Sequence, residues 1–289
     1  MKKILFAILF GFAGISASAV DVPPPPLSKA DSAIAAREWK PSGNTGVNIS
    51  QVSFTNWSQG GENSLTWSLF LNLGLNKNFE NFRLKNQLKV AYGMTKIGDD
   101  PFKTNENEFF LETVLSYKIA WNIDPYFSNT LRTVIADGYD YTVNPKKQIS
   151  TFWDPGYLTQ SFGFAFDKVE GLNTRLGVAF QETFTNDFRQ YTTDADHPDR
   201  TFKFETGVES VTSYKCSFSD NLLYQGRFRL FGRFDNLDVW DVRFDNTLTA
   251  KITKYINVNF TALVVHEISQ TRRTQLKQGL QFGFVYNLF

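Results

Sequence analysis

Charged side chains recur at every second position in several stretches of the sequence. Arg83 and Lys85 alternate with apolar residues, and Asp241, Arg243 and Asp245 do the same later in the chain. Because successive side chains of a β-strand point to opposite faces, such charges would line one face. They could form a path for a polar or charged solute, or they could pair with one another and fill an interior, and the sequence favours neither. The candidates for this lining are Arg83, Lys85, Lys89, Glu108, Glu112, Arg132, Arg175, Lys203, Glu205, Glu209, Arg227, Arg229, Asp241, Arg243, Asp245 and Lys251.

The two histidines are the residues on which hydrolytic or metal-dependent chemistry would depend. His266 and Glu267 precede Ser269, but a hydrolase needs a positioned nucleophile and a base oriented by a third group. The segment 194–199 places three aspartates around His197, and oxygen-rich spacing of this kind can bind Ca²⁺. It lacks the EF-hand pattern, so we interpret it as a solvated acidic loop. We therefore predict no catalytic residue, no metal and no cofactor, and we keep a barrel hydrolase only as the weakest alternative.

A third candidate site is the segment Asn-Trp-Ser-Gln-Gly-Gly-Glu-Asn at 56–63. A ligand could lie against its tryptophan and the glycine backbone. We favour a structural role, because glycines permit an irregular loop and tryptophan anchors at a membrane interface. The spacing matches no P-loop and no helix follows it. The residues of this loop motif are Asn56, Trp57, Gly60, Gly61 and Asn63.

A period of two begins at Gly43 and predicts the strands that position these residues. The run from Leu65 to Leu75, for example, alternates leucine or tryptophan with mostly polar residues. The pattern indicates an all-β protein, a single transmembrane antiparallel up-and-down β-barrel of about 12 strands, with roughly 10–14 strands compatible with it. The predicted strands are 46–55, 65–76, 82–92, 107–120, 126–135, 157–167, 172–184, 202–214, 221–231, 240–252, 256–265 and 274–288.

The connections alternate in length, as expected of a barrel with both termini, and its short turns, in the periplasm. A lipid-facing Arg or Lys at mid-bilayer would cost about 2–4 kcal/mol, so the charged faces are expected to point into the lumen. A secreted β-sandwich with one buried face is the alternative. Short turns are predicted at 77–81, 121–125, 168–171, 215–220 and 253–255, and longer extracellular loops at 56–63, 94–106, 136–156, 185–201, 232–239 and 266–273.

The remaining segments predict export. Residues 1–19 combine two lysines, a short apolar run and an Ala-x-Ala site, which is typical of a cleaved signal peptide. Residues 20–42 contain four consecutive prolines and predict a periplasmic linker, and 43–289 form the predicted barrel. The single Cys216 allows no intramolecular disulfide. A net charge of +1 gives no electrostatic reason to expect a nucleic-acid partner.

Aromatic residues are abundant although the mean hydropathy is only −0.28, with 29 Phe, 11 Tyr and 6 Trp. A barrel explains both values, because rings would cover an outer face against outer-membrane lipid while alternate residues face a polar interior. We expect interfacial girdles at both ends of the barrel. Their predicted members are Tyr117, Trp121, Tyr126, Tyr214 and Tyr255 beside short turns, and Trp57, Tyr92, Trp153, Tyr157 and Trp240 beside long loops.

The chain ends in an alternating aromatic strand, Leu-Gln-Phe-Gly-Phe-Val-Tyr-Asn-Leu-Phe. This ending resembles the signal that outer-membrane barrels present to their assembly machinery, and Tyr286 and Phe289 are its candidate residues. Phe289 is one position out of phase with the apolar face of the strand. The resemblance implies the assembly machinery as a partner during insertion.

Three further segments, together with this ending, resemble the Bacteroidetes outer-membrane family known as domain of unknown function 3078. They are Asn-Trp-Ser-Gln-Gly-Gly-Glu-Asn-Ser at 56–64, Phe-Trp-Asp-Pro-Gly-Tyr at 152–157 and Lys-Ile-Thr-Lys-Tyr-Ile at 251–256. The resemblance covers 39–289 and implies a barrel in the outer membrane of a Gram-negative bacterium, with no established activity. We predict a non-enzymatic narrow channel or carrier for a small solute or lipid-like molecule. The alternative is a structural or accessory component of an outer-membrane complex, with an unidentified protein partner and no transport activity.

Overall fold

The computed structural model describes residues 38–55, 61–119, 121–194, 196–267 and 273–289. The predicted signal peptide and most of the predicted linker lie outside the described residues, as do Asn56, Trp57 and Gly60 of the loop motif. Within the described ranges, no helix has the length and apolar composition needed to cross a membrane.

The described residues form mostly β-structure. The strands are β1 (Trp39–Val52), β2 (Ser64–Asn78), β3 (Phe82–Ile97), β4 (Lys103–Tyr117), β5 (Asp124–Thr133), β6 (Gly138–Asp140), β7 (Lys147–Ser150), β8 (Gly156–Phe166), β9 (Leu172–Phe184), β10 (Phe202–Ser219), β11 (Leu222–Arg233), β12 (Asn236–Lys251), β13 (Ile256–His266) and β14 (Gln275–Asn287). A short 3₁₀ helix, Arg189–Tyr191, lies between β9 and β10.

Twelve of these described strands close into one antiparallel barrel, and β6 and β7 form a separate hairpin in the connection between β5 and β8. Each barrel strand pairs with the next barrel strand in the chain, and β1 pairs with β14 from Asn44↔Asn287 to Ile49↔Phe282 to close the cylinder. This confirms the predicted antiparallel barrel of twelve strands. We call one end of the barrel the turn end; β1 begins there and β14 ends there, and it carries the connections 79–81, 118–123, 167–171, 220–221 and 252–255. The opposite end is called the loop end.

The distribution of polar and apolar side chains is the reverse of that in a water-soluble domain. On β4, Leu111 and Leu115 are exposed, whereas Glu112 and Ser116 are buried. On β14, Phe282 and other large apolar side chains are exposed. Soluble proteins rarely expose contiguous apolar surfaces of this extent, so the outer face of the barrel requires an apolar environment.

Two of the six connections predicted to be long are short. The 94–106 loop is reduced to 98–102, and the 232–239 loop to a turn at 234–235. In both places the strands continue as hairpins beyond the part of the sequence that alternates clearly. Polar residues there can lie on both faces of a strand. Such a strand shows no alternation of polar and apolar residues, so the sequence pattern predicts a loop in its place.

The barrel begins before the predicted boundary at residue 43, because β1 already pairs with β2 at Trp39↔Lys77. Pro41 pairs with Leu75 within this extension. The pairing of β1 with β14 starts only at Asn44. Pro41 therefore lies on a strand with one hydrogen-bonded neighbour, where a residue without an N–H group is tolerated.

Candidate functional site in the barrel interior

A cluster of one carboxylate and two guanidinium groups crosses the barrel. Glu112 of β4 accepts hydrogen bonds from Arg175 Nη2 of β9 at 2.6 Å and from Arg227 Nη2 of β11 at 2.8 Å. Neither β9 nor β11 is a neighbour of β4 in the sheet, so these contacts run through the interior. The side chains of Glu112 and Arg175 are buried, at 8% and 4% exposure. We refer to Glu112, Arg175 and Arg227 as the central layer.

Aromatic rings support the arginines of this layer from inside the barrel. The guanidinium carbon of Arg227 lies 5.2 Å from the ring centre of Phe110, and that of Arg175 lies 5.6 Å from the ring centre of Tyr126. Planar guanidinium groups are attracted to aromatic faces at such distances. The Tyr126 hydroxyl also forms a 2.7 Å hydrogen bond with Ser161 Oγ. These contacts hold the charged groups in place across the lumen.

The central layer lies between two cavities. The turn-end chamber has a volume of about 640 Å³, and Glu112, Arg175 and Arg227 line one side of it. The loop-end chamber has a volume of about 160 Å³ and is lined by Phe110, Arg227 and residues of β5, β8 and β10 to β14. Arg227 borders both cavities. The interior is thus two polar spaces with a charged constriction between them.

Carboxylates and cations form ion pairs in the loop-end half of the barrel interior. Glu209 contacts Arg229 Nε at 2.7 Å, and Glu108 contacts Lys89 at 2.8 Å and Arg243 at 3.1 Å. Apart from Asp241, the other predicted lining residues in this half are also paired, with Arg132 Nε 3.7 Å from Glu108, Lys203 2.8 Å from Glu205, and Arg243 Nε 2.9 Å from Asp245. Glu205 also contacts Arg233, which is not in the predicted set, at 2.8 Å.

Asp241 differs from these paired carboxylates. It is buried, it lines the loop-end chamber, and its Oδ1 atom has no hydrogen-bond partner among the described residues. At the other end of β12, Lys251 is exposed. The structure therefore places the predicted lining residues in different surroundings, and it brings Arg175 and Arg227 together on the carboxylate of Glu112.

At the turn end, Arg83 and Lys85 share Asp167 as their partner. Arg83 hydrogen-bonds to Asp167 Oδ2, and Lys85 Nζ lies 3.2 Å from the same oxygen. Asp167 follows β8, so these contacts also cross the interior from β3. Asp167 was not among the predicted lining residues, although it is the last residue of the predicted strand 157–167; in the structure β8 ends one residue earlier, at Phe166.

Sequence reasoning also missed the inward-facing rings. Tyr126 and Tyr157 were expected in the outer girdles, but Tyr126 is buried inside and Tyr157 lines the loop-end chamber. Phe110 is buried as well. Their position in the alternation identifies them, because residues two apart in a strand point to the same face. Tyr126 is two residues from Ser128 and Phe110 is two residues from Glu112, so both rings lie on the polar faces of their strands.

The other candidate residues lie in the connections or at the barrel ends. Asn63 Oδ1 accepts a 2.6 Å hydrogen bond from the Phe54 backbone N–H, and Gly61 has a φ of 130°, which favours glycine. Tyr286 is exposed on the outer face, and Phe289 is exposed while also lining the turn-end chamber. Their role as an assembly signal stays a prediction.

The two histidines lie in different parts of the chain, since His266 is the last residue of β13 and His197 lies in the connection between β9 and β10. His266 Nδ1 is 3.1 Å from Thr274 Oγ1, while Ser269 lies outside the described residues. His197 Nδ1 is 2.9 Å from Asp194 Oδ1, and this hydrogen bond lowers the pKa of the Asp194 carboxyl.

Asp194 also contacts Arg200 at 3.4 Å, so its oxygens are engaged within the loop. Among the described residues, no three His, Cys, Asp or Glu side chains are grouped as a metal ion would require.

The family comparison agrees with the resemblance seen in the sequence. Residues 49–139 match the family described as "Protein of unknown function (DUF3078)". This match spans β2 to β5 together with the end of β1, and therefore includes Glu112. No curated protein matches the chain.

Three solved structures are similar to the chain at low sequence identity. A NanC porin has a TM-score of 0.39 and 9% identity, over 84% of this chain and 98% of that one. An outer membrane channel from Pseudomonas putida F1 has a TM-score of 0.37 and 10% identity, over 85% and 94%. The translocator domain of autotransporter NalP from Neisseria meningitidis has a TM-score of 0.36 and 9% identity, over 86% and 87%.

Proposed function

We propose that this protein is a non-enzymatic outer-membrane channel for small polar solutes, constricted at its centre. The observation that carries the proposal is the central layer of Glu112, Arg175 and Arg227, which crosses the lumen between two polar chambers. A solute that enters from one end would have to displace or pass these side chains. The layer would therefore restrict flow through the barrel.

The outer face supports a membrane location. Exposed leucine and phenylalanine side chains cover barrel strands around the cylinder, and charged side chains point inward. We infer that a signal peptide at 1–19 directs export in a Gram-negative bacterium of the Bacteroidetes. The turn end, where β1 begins and β14 ends, would then face the periplasm, and the long connections would face the cell exterior.

The lining of the barrel favours a polar solute over a lipid-like one. Asn, Ser, Arg and Lys side chains make up most of the turn-end chamber. A barrel of this size lies between filled eight-stranded barrels and the open porins of 16 to 18 strands, which is consistent with a narrow path. The buried charges then serve both to fill the interior and to select what passes.

Single-channel recording of refolded protein in planar lipid bilayers tests the proposal. The wild-type protein should show a small, salt-dependent conductance, and Arg227→Gln should increase it because the constriction loses one of its two bridges. Arg189→Gln is the matched control, since Arg189 lies in an outer connection and its nearest carboxylate, on Asp199, is 3.8 Å away. This control should conduct like the wild type.

Bilayers that stay silent with correctly folded wild-type and Arg227→Gln protein would overturn the channel. Such a result would favour a structural or accessory role in an outer-membrane complex. A conductance that Arg227→Gln and Arg189→Gln change equally would show that the central layer is not the constriction.

A further inference from the structure

The turn-end chamber has an excess of positive charge that its carboxylates do not balance. Of the described residues in its wall, Lys85, Arg175, Lys215 and Arg227 are basic and one, Glu112, is acidic. Asp167, just outside the wall, is shared by Arg83 and Lys85. Each of the two carboxylates thus faces two cations, so each group keeps a net positive charge.

Lys215 adds a charge without compensation. It is exposed at the turn end, it lines the chamber, and its ammonium group forms no ion pair with any described residue. Its backbone is held, because the Lys215 N–H donates to Gly171 O at 2.7 Å. The backbone is therefore fixed at the point where this side chain lines the opening of the chamber.

Uncharged hydrogen-bonding groups surround these cations. Asn76, Asn173 and Asn287 line the chamber, and their side-chain amides form no hydrogen bond with the described residues. By contrast, Asn72 Nδ2 donates to Asn44 Oδ1 at 2.9 Å. The free amides can both donate and accept hydrogen bonds, which is the property needed to contact hydroxyl groups.

We infer that the turn-end chamber binds a small hydroxyl-rich anion, whose carboxylate or phosphate group would lie near Lys85, Arg175 and Lys215 while its hydroxyl groups contact the asparagines. The volume of about 640 Å³ is in the range of small-molecule sites. A net positive pocket with low-dielectric walls also concentrates anions at its opening. This inference rests on the proposed channel, for which it names the class of solute.

Binding of three probes to refolded protein in detergent micelles tests the inference by calorimetry. Gluconate carries a carboxylate, glucose 6-phosphate carries a phosphate, and glucose is neutral. At least one of the two anions should bind more tightly than glucose, and their order shows which anionic group the chamber prefers. Equal binding of all three, or no binding of any, would overturn the inference.

Variants locate the binding. Lys215→Gln should weaken anion affinity by roughly tenfold, and it should fold because the side chain is exposed. Lys254→Gln is the matched control, since Lys254 lies in the 252–255 turn at the same end and its ammonium is 5.4 Å from the ring centre of Tyr255. Equal affinity of the Lys215→Gln and wild-type proteins would place the anion elsewhere and overturn the inference.

Calorimetry in micelles does not depend on conductance, so the two proposals can fail separately. Anion binding by a protein that is silent in bilayers would leave the chamber as a binding site and overturn the channel. Conductance without anion binding would leave the channel and overturn the anion site.

Discussion

Glu112 of β4 connects two distant strands, β9 and β11, through the barrel interior. Its carboxylate is buried and is the shared partner of two arginines, one of which is almost fully buried. Burying charge is costly unless each charge is paired and hydrogen-bonded, and a guanidinium that loses its partner keeps its charge. The stability of the central layer is therefore linked to one side chain.

We predict that Glu112→Gln lowers the free energy of unfolding by about 3–5 kcal/mol, since it leaves Arg175 and Arg227 without their counter-charge. Guanidinium titration of the protein in lipid vesicles measures the change. The control is Asp100→Asn, whose partner Lys103 is 2.6 Å away but whose side chain is 59% exposed. That control should change stability by less than about 1 kcal/mol. Equal effects of the two variants would contradict a buried, coupled layer.

At the level of elements, the turn between β8 and β9 shows how closely the barrel strands are packed. Gly171 has a φ of 75°, and a Cβ atom there would meet the carbonyl oxygen of Lys215 at 2.2 Å. The Gly171 carbonyl in turn accepts the Lys215 N–H. The same glycine therefore positions the end of β10 and the cation of the turn-end chamber.

A non-glycine residue in the left-handed conformation costs roughly 1–2 kcal/mol. Gly171→Ala should destabilise the protein by more than this, because the Lys215 carbonyl must also move. The midpoint of guanidinium unfolding measures this effect. Gly279→Ala is the control, since among the described residues, its two chain neighbours aside, the only atom within 4 Å of its added Cβ is Thr261 Oγ1, at 3.4 Å. We expect it to leave the midpoint unchanged or slightly higher. A loss of stability no greater than that of the control would show that the turn is not constrained as described.

For the whole molecule, the pairing of β1 with β14 over Asn44–Ile49 joins the two edges of the sheet. A sheet without edges has its backbone groups paired all round, so the barrel is expected to withstand detergent until it is heated. We predict that unheated and heated samples migrate at different positions on an SDS gel. A chain that ends at residue 274 lacks β14 and is the control, because it cannot close and should show no shift.

A full-length protein that migrates identically before and after heating, and that dissolves without detergent, would contradict a membrane barrel. A shift retained by the chain ending at 274 would instead show that the pairing of β1 with β14 is not needed for the resistant form.

Alternation along the chain was sufficient to predict the number of strands, their antiparallel order and the side of the sheet on which most charges lie. This is because the direction of a side chain in a strand is a local property with a period of two. It applies to Glu112 and Arg175, each of which has a leucine and a threonine as its chain neighbours. It also applies to Tyr126 and Phe110, whose inward direction could have been predicted from their phase alone.

Alternation could not predict which charges meet across the lumen, because Glu112 and Arg227 are 115 positions apart in the chain and lie on strands that are not neighbours. Their contact depends on the closure of the sheet and on the resulting diameter and stagger, which are properties of all twelve strands together. The same closure separates the two chambers and leaves Lys215 facing the larger one. Local patterning therefore decides which side a residue faces, and only the closed sheet decides what it faces there.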